Sequence, residues 1–415
     1  MAADPAIPRR PGPGNPPAPG RLANPPVLAV LGACAAILAC RRAGAVTHPQ
    51  FWAEDAYFFA QAYTIGWSAL LVPFAGYLHT VLRLIGELAV LTSPAHAPAV
   101  FVACSAAVTL YVASRTLSPR CPLPRLGGAC ALAVVLVPDT YEVLLTVVNL
   151  QWVVGAGLIL LLVSADPRTP GQWVHDVGAG ILAGLTGPFS ILLAPLFLWR
   201  AWSRRTRGSA GLAALVLACA LAQGYLVHRE PGIGGPAPGA RVAAALFLPA
   251  IGRRVGGSLL LGALLPAATR LLPTALMGAA TIAGAGFLAF RRGPLRPERL
   301  LLGAAFFALL GASLYRTRYT LDEFFLPLAH ARYVYLPQLI LLWLLLGGWT
   351  AGGTTGRLAP LLFAWAVLVN LPRYREPAYL DMHWTRYEGQ IRAGQPVVVP
   401  INPPGWVMPL PARHP

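Results

Sequence analysis

Apolar residues come in long blocks, and clusters of Pro, Gly and Arg separate them. Few stretches alternate as an amphipathic strand would. Blocks approaching the ~20 residues that carry a helix across a bilayer predict transmembrane helices. The blocks cover residues 26–44, 98–114, 126–138, 150–165, 177–200, 209–226, 274–290, 300–315, 333–348 and 358–370. Block 177–200 holds TGPFS at its middle, so it divides into two short spans. Residues 56–72 read as an amphipathic helix lying in the membrane interface. Residues 77–92 fit either a second interfacial helix or a short span, with Arg83 and Glu87 spaced for an i,i+4 ion pair. Residues 242–272, which carry Arg253, Arg254 and Arg270, read as interfacial. The expectation is an all-α polytopic membrane protein with about eleven transmembrane helices and interfacial helices in its first external loop.

Composition supports this. Of 415 residues, 56% are hydrophobic and only 11% charged, and the mean hydropathy is +0.60; soluble domains average about 25% charged. The net charge is +17 and the sequence contains no Lys. No basic soluble domain is present to use that charge on nucleic acid, whereas guanidinium forks suit phosphate groups. The six Cys include no CxxC pair, which points to apolar packing, not to a disulfide framework or metal site.

Charge also orients the chain. Residues 1–25 are Pro-rich, contain Arg9, Arg10 and Arg21, and predict a disordered cytoplasmic N-terminus ahead of a retained signal anchor. The multispanning domain is then 26–371, its first external loop 46–92, and 372–415 an extracytoplasmic tail whose prolines predict an extended covering segment. HREPGIGGPAPGARV reads as an external loop. Arg41, Arg42, Arg316, Arg318 and Arg332 fall on the outer side, against the positive-inside trend, and are expected to face an anionic ligand. The localisation expected is the cytoplasmic membrane, multi-pass.

The strongest candidate chemistry is in HPQFWAEDAYFFAQAY, residues 48–63, where Glu54 and Asp55 stand among aromatic residues just past the first span. A carboxylate beside a span is costly unless solvated or paired. As an ordinary structural feature Asp55 would cap the helix that follows. As chemistry it would deprotonate an acceptor hydroxyl, or with Glu54 hold a divalent metal. His79 and Arg83 share a helical face and could contact a phosphate, or simply begin a helix. Asn149, Gln151 and Trp152 would either bond between helices or recognise a sugar by amide contacts and stacking. Arg332 and Tyr333, after His330, would anchor a span at the interface or hold a donor phosphate. Asp381 and His383 read as structural. Nucleotide-binding, serine-hydrolase and HExxH motifs are absent.

A multispanning chain with an acidic pair in the first external loop resembles the GT-C superfamily of membrane glycosyltransferases. By topology the resemblance covers most of the chain, by motif only residues 50–83; FWAEDAYFF with GYLH is also similar to a group of bacterial membrane proteins of unassigned function. The resemblance implies transfer of a sugar from a polyprenyl-phosphate donor to an envelope glycan or lipid. Asp55 would be the base, Glu54 its partner or metal ligand, and Arg332 and Arg83 the phosphate contacts. The partners would be the lipid-linked donor, a glycan or lipid acceptor and membrane lipids, with no nucleic acid. The rival readings are a transporter or flippase of anionic lipids, and a non-catalytic scaffold of an envelope-assembly complex.

Overall fold

The structure, a computed structural model, describes residues 26–229, 244–265, 270–326 and 329–413. The expected disordered N-terminus and most of the Gly/Pro-rich loop after His228 lie outside the described residues. Among the described residues helices joined by loops predominate, with one two-stranded hairpin. Five helices are long and apolar enough to cross a membrane: Pro94–Thr116, Arg207–Arg229, Leu271–Phe290, Arg296–Arg316 and Ala331–Trp349. The protein is therefore a multi-pass helical membrane protein.

Chain order gives α1 (Val27–Arg41), α2 (Ala43–Thr47), α3 (Asp55–Ile65), α4 (Thr80–Thr92), α5 (Ala97–Thr116), α6 (Gly127–Val135), α7 (Leu150–Val163), α8 (Pro170–Gly184), α9 (Phe189–Arg204) and α10 (Arg207–Arg229). Then come α11 (Phe247–Ile251), a π-helical turn (Gly252–Gly257), α12 (Ser258–Leu260), α13 (Leu271–Phe290), α14 (Arg296–Arg316), α15 (Ala331–Trp349), α16 (Gly353–Val369) and α17 (Glu388–Arg392). Strands β1 (Val397–Ile401) and β2 (Trp406–Leu410) close the chain. The 177–200 block does split at TGPF, but its first helix begins earlier, because Thr169 caps Gln172 N–H and Pro170 occupies the first turn. Helix α15 is apolar all round and buried along most of its length, which makes it the central post.

Contacts sort the helix ends into two groups. At one end Arg41 and Arg42 meet the 136–149 loop and Glu376. At the other, Asp166 and Asp176 bind Arg200, Arg204 and Arg120. We call these the loop end and the closed end.

Helix α4 does not join the two ends. It lies along the loop end, packed on α3, with Thr80 bonded to Leu185 O. Its Arg83 donates to Gln61 Oε1 at 2.6 Å and Val72 O at 3.1 Å and stacks over Tyr57 and Phe58. The expected Arg83–Glu87 pair does not form, because aromatic rings and a neutral amide reach the guanidinium first.

The segment 247–264 is not simply interfacial. Its GRRVGG turn is pressed against α13: a Cβ on Gly252 would meet Thr274 O at 1.7 Å, and one on Gly256 would meet Thr281 Oγ1 at 1.9 Å. Only glycine permits that approach. The approach buries Arg254, which donates to Ala329 O at 2.7 Å.

The tail is not merely extended. β1 and β2 pair antiparallel, and Asn402 continues the contact to the first loop, where its carbonyl accepts Ala53 N–H at 2.5 Å. Trp384 packs on Phe51 and donates to Ala95 O. The tail thus covers the loop that carries Asp55.

Candidate functional site

The 136–149 loop organises the loop end. It has no regular structure, so its backbone groups need outside partners. Arg41 takes Val135 O and Val137 O at 3.1 and 3.0 Å, and Arg42 takes Tyr141 O. Both guanidiniums also bind Glu376, at 2.6 and 2.9 Å, and lie over Tyr374, Tyr141 and Tyr379 rings. The expectation that Arg41 and Arg42 face a ligand is therefore corrected: both are fully buried and bind the loop and tail to α1.

Asp55 works from the other side. Its Oδ1 accepts Val147 and Val148 N–H at 3.0 and 2.6 Å, and its Oδ2 accepts Trp52 N–H at 3.2 Å. It is not the cap of α3: Glu54 occupies that position without a side-chain cap bond. Burial pushes the Asp55 carboxyl up to about 7, against the three N–H donors that favour its charged form. Tyr379 is close enough to feel its charge and stacks on Trp52 at 4.6 Å. Among the described residues no three His, Cys, Asp or Glu side chains gather as a metal site. The donor set for the divalent ion considered for Asp55 and Glu54 is not assembled there.

Most of the sequence candidates do converge. His79 is bridged to Thr186, and Gly187 N–H reaches Leu78 O. Gly187, at φ +77°, lies against Gln151. Trp152 packs edge-on against Phe189 and Tyr333. Asn149 Nδ2 donates to Glu142 O at 2.9 Å, and Arg332 pairs with the Glu142 carboxylate. Tyr77 joins them, its phenol pushed up to about 12 by burial and Tyr333, with Arg316 and Arg332 pulling the other way. Gln151 Oε1 and Trp152 Nε1 are buried with no hydrogen-bond partner. Such atoms cost ~1–3 kcal/mol each when left alone.

Two candidates have other duties. Arg83 is committed to Gln61 and Val72. His79 Nε2 faces Phe74 O at 3.2 Å, and burial, with Arg83 nearby, lowers its pKa to about 3. It is a neutral ring inside the fold. Arg332 is half-neutralised as a phosphate contact because Glu142 already holds it. Asp381 and His383 bond to each other at the exposed surface.

Sequence reasoning missed the residues that line the open space. A cavity of about 190 Å³ is bounded by Asp139–Tyr141, Ala331 and Arg373–Pro377. A second, of about 340 Å³, shares Asp139 and Arg373 and adds Arg253, Arg254 and Ser258. Burial would raise the Asp139 pKa, but Arg254 and Arg373 hold it below the usual range. Arg373 donates to it at 2.5 Å, Ser258 at 2.6 Å and Gln338 at 3.3 Å. Arg253, Arg254 and Arg373 all line the second cavity beside Asp139. The available signal was GRRVGG, two arginines framed by glycines inside an apolar stretch.

Across the π turn lies an apolar groove of about 670 Å³ between α13, α15 and α16. Gly256 and Leu259–Leu261 line it, so one short segment presents arginines to a polar cavity and aliphatic residues to a groove.

No protein-family model, no curated protein and no solved structure matches this chain.

Proposed function

We propose that the protein is a membrane transferase acting on a lipid-linked, phosphate-bearing donor, with sugar transfer as its reaction. The observation that carries this reading is the juxtaposition around the π turn. Arg253, Arg254 and Arg373 offer charge-assisted donors to a phosphate, and the 670 Å³ groove takes the isoprenoid tail. Sugar and acceptor occupy the Gln151–Trp152–Tyr333 cluster. The acceptor hydroxyl oxygen bonds to the anomeric carbon, and the bond from that carbon to phosphate oxygen breaks. The electron pair leaves with the lipid phosphate, and the hydroxyl proton passes to Asp55. A carboxyl near 7 suits a general base at neutral pH; because Asp55 is buried, this role requires the Trp52–Tyr379 stack to open for the acceptor.

In the same reading the loop end is extracytoplasmic in the cytoplasmic membrane. In this reading the shorter helices α1, α6–α9 and α16 cross together with the five long apolar ones, for about eleven crossings. The charged residues of α5, α10, α14 and α15 sit only in end turns, and α13 has none. The carboxylate within α8, Asp176, is already bound by Arg120 and His175, so it offers a transport route no free charge.

The test uses the purified protein and a radiolabelled short-chain polyprenyl phosphate. Arg253→Gln and Gly284→Leu, which fills open space in the groove, each weaken binding about tenfold, and inorganic phosphate responds only to the first. Unchanged lipid affinity in both variants would remove the reading.

A further inference from the structure

A separate cavity of about 410 Å³ opens between α4, α5, α7 and α8, away from the candidate site. Its long walls are aliphatic side chains and glycine. Its polar residues, Tyr111, Arg115, Ser164 and His175, all lie toward the closed end. The cavity is therefore amphipathic along its length.

The polar residues are ordered. Arg120 holds the buried Asp176 carboxylate through both amino groups. Asp176 also takes His175 Nδ1 at 2.9 Å, and His175 Nε2 meets Tyr111 Oη at 2.7 Å. In the tautomer that turns Nδ1–H to Asp176, Nε2 accepts a hydrogen bond from the phenol. Every charge in the chain Arg120–Asp176–His175 is thus matched. Arg115 is the exception. It lines the cavity, is only half-buried, and its guanidinium has no ion pair or hydrogen bond among the described residues. Asp176, the nearest carboxylate on the facing helix, is already committed.

We infer that this cavity is a binding site for an anionic phospholipid, with one acyl chain between α5 and α8 and the phosphate on Arg115. Charge complementarity selects the headgroup: a lone guanidinium at the mouth of an apolar slot is satisfied by a phosphate at the membrane surface. The slot is preformed. Gly178 lines it, and a Cβ there would meet nothing within 4 Å.

The experiment is native mass spectrometry of the full chain in detergent, titrated with dioleoyl-phosphatidylglycerol or dioleoyl-phosphatidylcholine. The two lipids share tails and differ in net charge. Measurements are made in the Arg253→Gln background, which separates this site from the arginine cavity at the loop end. One tightly bound phosphatidylglycerol is expected, favoured about tenfold over phosphatidylcholine. Arg115→Gln abolishes the preference and Arg115→Lys keeps most of it. Gly178→Leu fills the slot and displaces both lipids. Equal retention of the two lipids, or a preference that survives both Arg115→Gln and Gly178→Leu, overturns the assignment. Failure here leaves the donor site at the loop end untouched, because that site is read through Arg253 and Gly284.

Discussion

The two ends of the bundle use the same amino acids to opposite effect. At the closed end Asp166 is enclosed by Arg200, Arg204, Thr206 and Ser209, with Arg200 at 2.6 Å. Those arginines also cap α7, taking Leu161 O and Ser164 O at 2.8 and 3.0 Å or closer. Around Asp166 carboxylate, guanidinium and helix C-terminus bind one another, and among the described residues only Arg200 Nε is left there without a partner; the nearby cavity lined by Arg115 and His175 includes none of Asp166, Arg200 or Arg204. At the loop end arginines outnumber carboxylates around Asp139, cavities remain, and Gln151 Oε1 and Trp152 Nε1 stay unpaired. An arginine cluster at a helix end is therefore not itself a sign of function. What distinguishes a site is unmatched charge, unpaired buried polar atoms and open volume together.

The comparison breaks most sharply at Asp55. If the loop end is the working end, Asp55→Asn lowers transfer by about 10²–10⁴ while the protein still folds, since the amide oxygen can accept Val147 and Val148 N–H. Turnover and detergent melting temperature are to be measured together; full turnover removes Asp55 from the chemistry. The pH dependence adds a second reading. Burial raises the native carboxyl from 3.8 to about 7, so between those values the folded protein holds a proton that the unfolded chain releases. Its contribution to stability is present below about pH 4 and is lost as pH rises through 7. Base activity moves the other way, rising through the same window. Asp55→Asn should flatten both curves; wild-type stability that climbs from pH 5 to 8 in step with activity would contradict the burial argument.

The Asp166 cluster at the closed end should respond in stability alone. Asp166→Ala strands the fully buried Arg200, a change worth about 3–5 kcal/mol, and is expected to lower the melting temperature and the yield of folded protein. Arg253→Gln at the loop end should cost less stability than Asp166→Ala while lipid affinity falls. A closed-end variant that melts like the parent would mean its arginines are satisfied by carbonyls alone.

Much of this was legible in the sequence, and the limits have physical causes. The long apolar blocks gave their helices because hydrophobic length is a local property. Helix α4 was ambiguous because thirteen residues suit both an interfacial helix and a short span, and only packing on α3 decides. The convergence of Gln151, Trp152, Arg332 and Tyr333 could be anticipated from their common side of the membrane. The arginine cavity could not, since Asp139 meets Arg373 across 234 residues and Ser258 across 119. Nor could the fate of Arg41 and Arg42, whose partner Glu376 comes from the tail. No local pattern encodes which distant carboxylate an arginine will find.

The smallest expected effect is the most discriminating. Gln151→Met keeps the shape of the side chain and removes a buried carbonyl that has no partner. A group with a purely structural duty at this position would be missed on removal. An unpaired one imposes a desolvation cost, so its loss should leave stability unchanged or raise it by about 1 kcal/mol. If Gln151 instead waits for a sugar hydroxyl, KM for the acceptor or donor rises even as the protein becomes no less stable. Stability and function moving apart at one residue is what a ligand site demands and what the closed end never shows. A drop of about 1 kcal/mol or more with unchanged KM would place Gln151 among the structural amides and shrink the site to the arginine cavity.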